Sequence, residues 1–334
     1  MITLTKKGLY CAVGNFYIDP SGAVENAIVT HAHSDHARRG AATYYSTRSG
    51  ADLVKSRLGR SINIKSYEFS EVFYLGDVKI SLHPAGHILG SAQVRLEYGG
   101  EVWVASGDYK REDDPTCEPF EVVECDVFIT EATFGTPGYK WEKDRDLARE
   151  ILNWWEENKI AGRNSVLFAY SLGKTQRILG ILEPHLKKPV YCHAAAADLN
   201  DCYRRQGVKL AETICLSELE DESRLSGELV IAPQAFLKSP KVSILNENYQ
   251  TAFASGWMAK KGGYGSDGYD KGFLMSDHAD WNDLLLTIEQ SKAKRVYVQH
   301  RGHGALVRHL RKMGLQAFPD FELIAKNPNQ LSFF

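Results

Sequence analysis

Short runs of alternating apolar and polar residues, closed by glycine or aspartate, fill roughly the first 135 positions of the chain. Phe73 to Leu75 and Val78 to Leu82 flank Gly76-Asp77, and Gln93 to Tyr98 and Glu101 to Ala105 flank Gly99-Gly100. A period of two broken by a two-residue glycine turn predicts β-hairpins. From 144 to 157 the spacing changes, and Leu147, Ile151, Trp154 and Trp155 recur at helical intervals. Strand-like segments at 166–170, 190–192, 229–232 and 251–254 then alternate with helix-like segments at 174–182 and 195–205, which predicts an α/β unit with its own parallel sheet. Beyond a loop rich in Gly, Tyr, Ser and Asp at 262–272, the first pattern returns: Phe273 to Met275, a helix over 280–290, a strand over 295–298 and a helix over 305–313. The expectation is one domain split by another, with a first part at 1–144, an insertion at 145–270 and a second part at 271–334.

The 43% apolar content over 334 residues suffices for a substantial core. A formal net charge of −2 gives no bulk attraction to a polyanion or a membrane, so any such site must be a local basic patch. Arg38-Arg39, Lys110-Arg111 and Lys260-Lys261 are the pairs that offer one. The six cysteines have no Cys-x-x-Cys spacing and are expected to be reduced thiols. Polar residues interrupt the N-terminus where a signal peptide needs an apolar core, and no apolar run is long enough to cross a bilayer. A soluble cytoplasmic protein with no membrane partner is expected.

Directly behind Ala27-Ile28-Val29 the chain reads Thr30-His31-Ala32-His33-Ser34-Asp35-His36. Three imidazoles at the end of a buried strand are costly to desolvate unless a cation gathers them. In an extended turn His31 and His33 point the same way, while Asp35 and His36, opening a following helix, can reach a second ion. His87 follows the strand ending at Leu82, and Asp108 follows the strand through Ala105. Glycines beside both let the backbone bring their side chains toward a shared centre.

These residues, in this order, resemble the metallo-β-lactamase superfamily, whose signature is a His-x-His-x-Asp-His turn, a later histidine and a bridging aspartate. Asp19, before Pro20, stands where that family keeps a carboxylate that holds the histidine turn. Thr130 to Gly135, Phe168 to Lys174, Ser276 to Asp280 and Val298 to His300 are similar to the acidic, cap, second-histidine and third-histidine motifs of the β-CASP nucleases. Residues 8–20, and Ser255 to Met258 with Ser276 to Trp281, resemble the bacterial ligase-associated DNA damage response exonucleases.

The resemblance implies an α/β fold, an αββα metallo-β-lactamase sandwich carrying an inserted α/β β-CASP cap. It implies that His31, His33 and His87 hold one divalent ion, that Asp35, His36 and His300 hold another, and that Asp108 bridges them. His303 is the alternative to His300; His300 is favoured because it follows the strand at 295–298, whereas His303 falls in a glycine-flanked loop. Imidazole and carboxylate ligands without thiolate suit Zn²⁺ and admit Mn²⁺. His278, held by Glu131, is the expected proton donor to the leaving group. Arg38, Lys110, Lys174 and Lys260 are expected phosphate contacts, and Tyr139, Trp141, Tyr264 and Tyr269 are aromatics able to stack bases.

The function implied is a metal-dependent exonuclease on single-stranded DNA ends in DNA repair, with a DNA ligase and a helicase as functional associates. The alternative is an RNA-processing exo- or endonuclease, because a histidine at position 300 is typical of the RNA branch. A small-molecule thioester or lactam hydrolase would have no use for Glu131 and His278, and an inert binding module would not need every ligand type retained.

Overall fold

The computed structural model describes residues 1–142, 145–220, 224–259, 268–299 and 303–323. Three sheets organise them. The first holds β1 (Ile2–Thr5), β2 (Gly8–Cys11), β3 (Phe16–Ile18), β4 (Val24–Ile28), β5 (Ala41–Thr47) and β6 (Ile64–Tyr67), in sequence order, with β3 to β6 parallel. Helix α1 (Ala51–Leu58) follows β5. Next come β7 (Phe73–Leu75), β8 (Val78–Pro84), β9 (Ala92–Tyr98), β10 (Glu101–Ala105) and β11 (Val127–Thr130). The two glycine turns join β7 to β8 and β9 to β10 as antiparallel pairs, as their patterning predicts.

The chain then builds α2 (Leu147–Ile160), β12 (Asn164–Phe168), α3 (Lys174–Leu182), β13 (Val190–Cys192), α4 (Ala194–Arg205), β14 (Thr213–Cys215), β15 (Leu229–Ala232), β16 (Tyr249–Ser255) and β17 (Lys271–Leu274). These six strands form an all-parallel sheet in the order β14-β13-β15-β12-β16-β17. β12 and β15 are buried along their whole length because both faces of the sheet are covered, which is why they read as continuous apolar runs. α5 (Trp281–Gln290), β18 (Arg295–Val298), α6 (His303–Lys312) and β19 (Gln316–Pro319) complete the second sheet, whose order is β19-β18-β11-β10-β9-β8-β7.

Ile18, Ile28 and Tyr45 of the first sheet pack against Ile80, Val94, Trp103 and Ile129 of the second, forming the core between the two. The outer face of the second sheet is covered by α5 and α6 through Leu284, Ile288, Leu306 and Leu310. The outer face of the first is covered by α1 through Leu53, Val54 and Leu58, in a core continuous with α2 and α3.

Three expectations need correction. Residues 273–274 belong to β17, which pairs with β16, so the third sheet runs past the expected boundary at 270. No helix follows the histidine turn: His36 and Ala37 both donate their N–H to His33 O, at 3.1 and 2.8 Å, and the chain turns back into β5 to pair with β4. His303 opens α6 and does not lie in a loop.

Candidate metal centre

β8, β10 and β11 all end at one edge of the second sheet, because β8 and β10 each run antiparallel to β9 and β10 runs parallel to β11, and β4 of the first sheet ends beside them, as the approach of His31 to Asp108 shows. The loops leaving that edge carry His31, His87, Asp108 and Glu131, the placement that open α/β sheets use for ligands. Gly86 and Gly107 set the approach. Gly86 has φ +71, and a Cβ there would meet Lys110 O at 2.3 Å; Gly107 has φ +56 and packs on Thr30.

His31, His33, His87 and Asp108 converge, and among the described residues they form a group able to hold a metal ion. His33 Nδ1 lies 3.1 Å from His31 Nε2 and 3.0 Å from His87 Nε2. Asp108 Oδ2 lies 3.6 Å from His31 Nε2, 3.3 Å from His36 Nε2 and 3.9 Å from His87 Nε2.

The far nitrogen of each ring is engaged elsewhere. His33 Nε2 donates to Leu172 O at 3.1 Å, from the loop between β12 and α3, and His87 Nδ1 donates to Asp277 O at 2.5 Å. His36 Nδ1 donates to Asp19 Oδ2 at 2.7 Å, and His31 Nδ1 sits 3.1 Å from Thr30 Oγ1, which itself donates to Asp19 Oδ2 at 2.6 Å. Asp19 also accepts from Thr30 N at 2.8 Å, and these bonds hold it at a φ of +47, in the left-handed region. With their outer nitrogens spent as donors, His31, His33 and His87 turn their inner nitrogens to the centre as lone pairs. Burial, reinforced by the neighbouring rings, drives His31 and His87 well below the usual imidazole range, and burial lowers His33. They are therefore neutral, as ligands must be. Asp108 Oδ1 is buried with no hydrogen-bond partner. Lone pairs directed at one another beside an orphaned carboxylate oxygen fit a bound cation.

At His36, burial opposes protonation but the Asp108 and Asp19 carboxylates raise the pKa well above its ordinary value. Asp35 Oδ2 is 3.8 Å from His36 Nε2. His36, Asp35 and Asp108 thus gather on the second side of the centre, beside a cavity of about 310 Å³ that Asp19, Arg38 and Gln299 also line. His300 and Lys260 lie outside the described residues, as do Tyr264 and the side chain of His303.

Glu131, 1% exposed, accepts from Tyr109 N at 2.7 Å, and its two oxygens lie 3.1 and 3.0 Å from His278 Nδ1. Burial opposes the charged form of His278, yet Glu131 raises its pKa to about 9. The His278 ring centroid is 4.7 Å from that of His87. Tyr139 and Trp141 pack with Phe134 and Trp257 around it, and Trp141 Nε1 donates to His278 O at 3.1 Å. Tyr269 instead packs with tilted rings against Phe168 and Phe253 and bonds to Gln234.

Lys110 and Lys174 are not exposed phosphate contacts. Lys110 is buried and donates to Asp114 at 2.6 Å; Lys174 is buried and donates to Asp277 at 2.6 Å and to Met275 O at 3.1 Å. Arg177 joins Asp114, Asp277 and Glu112 in the same network. A charged residue in sequence does not announce its burial. Asp277, Arg177 and Leu172 carry no role in the sequence reading; the available signals were Asp277 inside the Ser276 to Asp280 motif and Arg177 one helical turn after Lys174.

No protein-family profile matches the chain. It is 31% identical over 93% of its length to a probable DNA ligase of Opitutus terrae, covering 30% of that protein. It is 27% identical over 49% of its length to an RNase J-like protein of Methanocaldococcus jannaschii, covering 45% of it, and 31% identical over 38% to the endoribonuclease ysh1 of Aspergillus fumigatus, covering 16%. A crystal structure of a protein of unknown function from Enterococcus faecalis shares the fold, with a TM-score of 0.56 at 12% identity over 84% of this chain and 77% of that one. The chain belongs to the metallo-β-lactamase superfamily, in its β-CASP nuclease branch. It spans less than half the length of each of these curated relatives.

Proposed function

We propose that the chain hydrolyses phosphodiester bonds as a metal-dependent nuclease, acting as an exonuclease on single-stranded DNA ends. The two packed sheets with α1, α5 and α6 are read as the metallo-β-lactamase sandwich, and the third sheet with its helices as the β-CASP cap. The observation that carries the reading is the pairing of two arrangements at one sheet edge: imidazole lone pairs converging with Asp108, and His278 held by Glu131 beside them.

His31, His33 and His87 would hold one divalent ion, and Asp35 and His36 the other, with Asp108 shared and His300 as the expected further ligand. When bound, such ions supply Lewis acidity and a water activated near neutral pH. The chain's own groups do the rest. Asp19 and Thr30 fix the rings of His31 and His36, and Leu172 O and Asp277 O fix His33 and His87. Glu131 accepts the Nδ1 proton of His278, which leaves the Nε2 proton for the leaving alkoxide. Arg38, exposed beside the cavity next to His36 and Asp108, faces the incoming strand with a guanidinium suited to phosphate.

The alignment over nearly the whole chain with a protein named a probable DNA ligase favours DNA, and a ligase and helicase as associates. The second reading, RNA processing, is favoured by the names of the RNase J-like and ysh1 relatives. Incubating the protein with Mn²⁺ or Zn²⁺ and end-labelled single-stranded DNA or RNA, beside His31→Ala, tests both. Mononucleotides released from DNA support the first reading, and cleavage of RNA alone supports the second. Activity surviving in His31→Ala would contradict the site.

A further inference from the structure

α1 and α4 meet beside a cleft of about 230 Å³ lined by Lys55, Arg60, Asp198 and Arg205, where Arg205 pairs with Asp52 across the seam at 3.3 Å. The cations continue from this cleft toward the metal centre. The Arg39 guanidinium lies 3.7 Å from the position a Cβ on Gly59, at the end of α1, would take. Arg57 Nε donates to Ala32 O inside the histidine turn at 2.6 Å, within electrostatic reach of Asp35. Arg38 lines the cavity that opens beside Asp35, His36 and Asp108. Arg38, Arg39, Arg57 and Arg60 are exposed. In a chain of formal charge −2, this edge gathers five guanidiniums and one ammonium against Asp35, Asp52, Asp198 and Asp201.

We propose that the edge from Arg38 through Arg39, Arg57 and Arg60 to Lys55 and Arg205 is a track for the phosphodiester backbone of a single strand, outside the catalytic cleft. The inference rests on the nuclease reading of the metal centre. A strand whose scissile phosphate occupies the centre delivers its next phosphates to Arg38, and the row then leads away between body and insertion. Guanidiniums suit this role because they remain charged and pair bidentately with phosphate oxygens. The track contacts backbone and not bases, so it serves DNA and RNA alike.

The test is fluorescence anisotropy of a labelled oligonucleotide of about 15 thymidines, and of its uridine counterpart, in EDTA over a range of salt. The variants are Arg39→Glu/Arg60→Glu and, as a control for net charge, Lys79→Glu/Lys294→Glu on the second sheet and beside it. The track variant is expected to bind the oligonucleotide at least about tenfold more weakly at low salt, with a slope of log K against log salt shallower by about 1.4, the value for two single-strand contacts. Hydrolysis of a dinucleotide by the metal-loaded protein should be unchanged, which also certifies the fold. A wild-type slope in the track variant, or an equal loss in the control, would overturn the track while leaving the nuclease reading intact. Failure of the wild-type protein to bind or cleave any strand would overturn both.

Discussion

Asp19 illustrates how much of the metal centre depends on a side chain that is not itself expected to touch an ion. It accepts three hydrogen bonds from Thr30 and His36 while held at a φ that non-glycine residues seldom adopt. Asp19→Ala is expected to weaken divalent-metal affinity by about 10- to 100-fold, read by titration against a chelating indicator. Unchanged affinity would show that the ring orientations are set elsewhere. At Glu131, substitution by Gln removes the charge that faces His278 Nδ1 and keeps the shape. kcat is expected to fall by about 10²- to 10⁴-fold with metal content retained. Loss of metal together with activity would recast Glu131 as a ligand. The histidine turn was legible in the sequence because residue type and spacing are themselves the chemistry. Lys110 and Lys174 were not, because their partners Asp114 and Asp277 are fixed by tertiary packing.

The turn after β8 and the buried network beside α3 show the same coupling between neighbouring elements. Gly86 permits a left-handed turn with Lys110 O 2.3 Å from where a Cβ would sit. Gly86→Ala is expected to cost about 1–3 kcal/mol in stability, and to displace His87, so that metal stoichiometry drops even where the protein remains folded. In the network, Lys174→Ala leaves Asp277 buried with one cation fewer, at an expected cost of about 3–5 kcal/mol in urea denaturation. A surface phosphate contact would show almost none of that loss. Burial opposes ionisation of Asp114 and Asp277, but Lys110, Lys174 and Arg177 hold both pKa values below the ordinary carboxylate range. Their stabilising contribution is therefore complete above the unfolded-state value, about pH 4, and is lost as pH falls through the depressed values. Hairpins, helix α3 and strand β18 were readable from periodicity and glycine turns. The absence of a helix after His36 was not readable, because the parallel pairing of β4 with β5 decides it.

Three sheets, two of them packed face to face and the third inserted between β11 and α5, bring residues from distant parts of the chain to one edge. The sequence pattern showed a segment with its own alternation of strands and helices, and the third sheet is built from strands of that segment. It did not disclose that the insertion reaches back to orient a ligand, as Leu172 does for His33 across 139 positions. That contact makes the unit built on the third sheet part of the proposed metal centre. The most direct test of the account is anomalous diffraction at the zinc edge from crystals grown with Zn²⁺. Two peaks about 3.5–4 Å apart are expected, one within bonding distance of His31 Nε2, His33 Nδ1 and His87 Nε2 and the other beside His36 Nε2, with Asp108 between them. The absence of density at that point, with the imidazoles dispersed or hydrogen-bonded to one another, would contradict it.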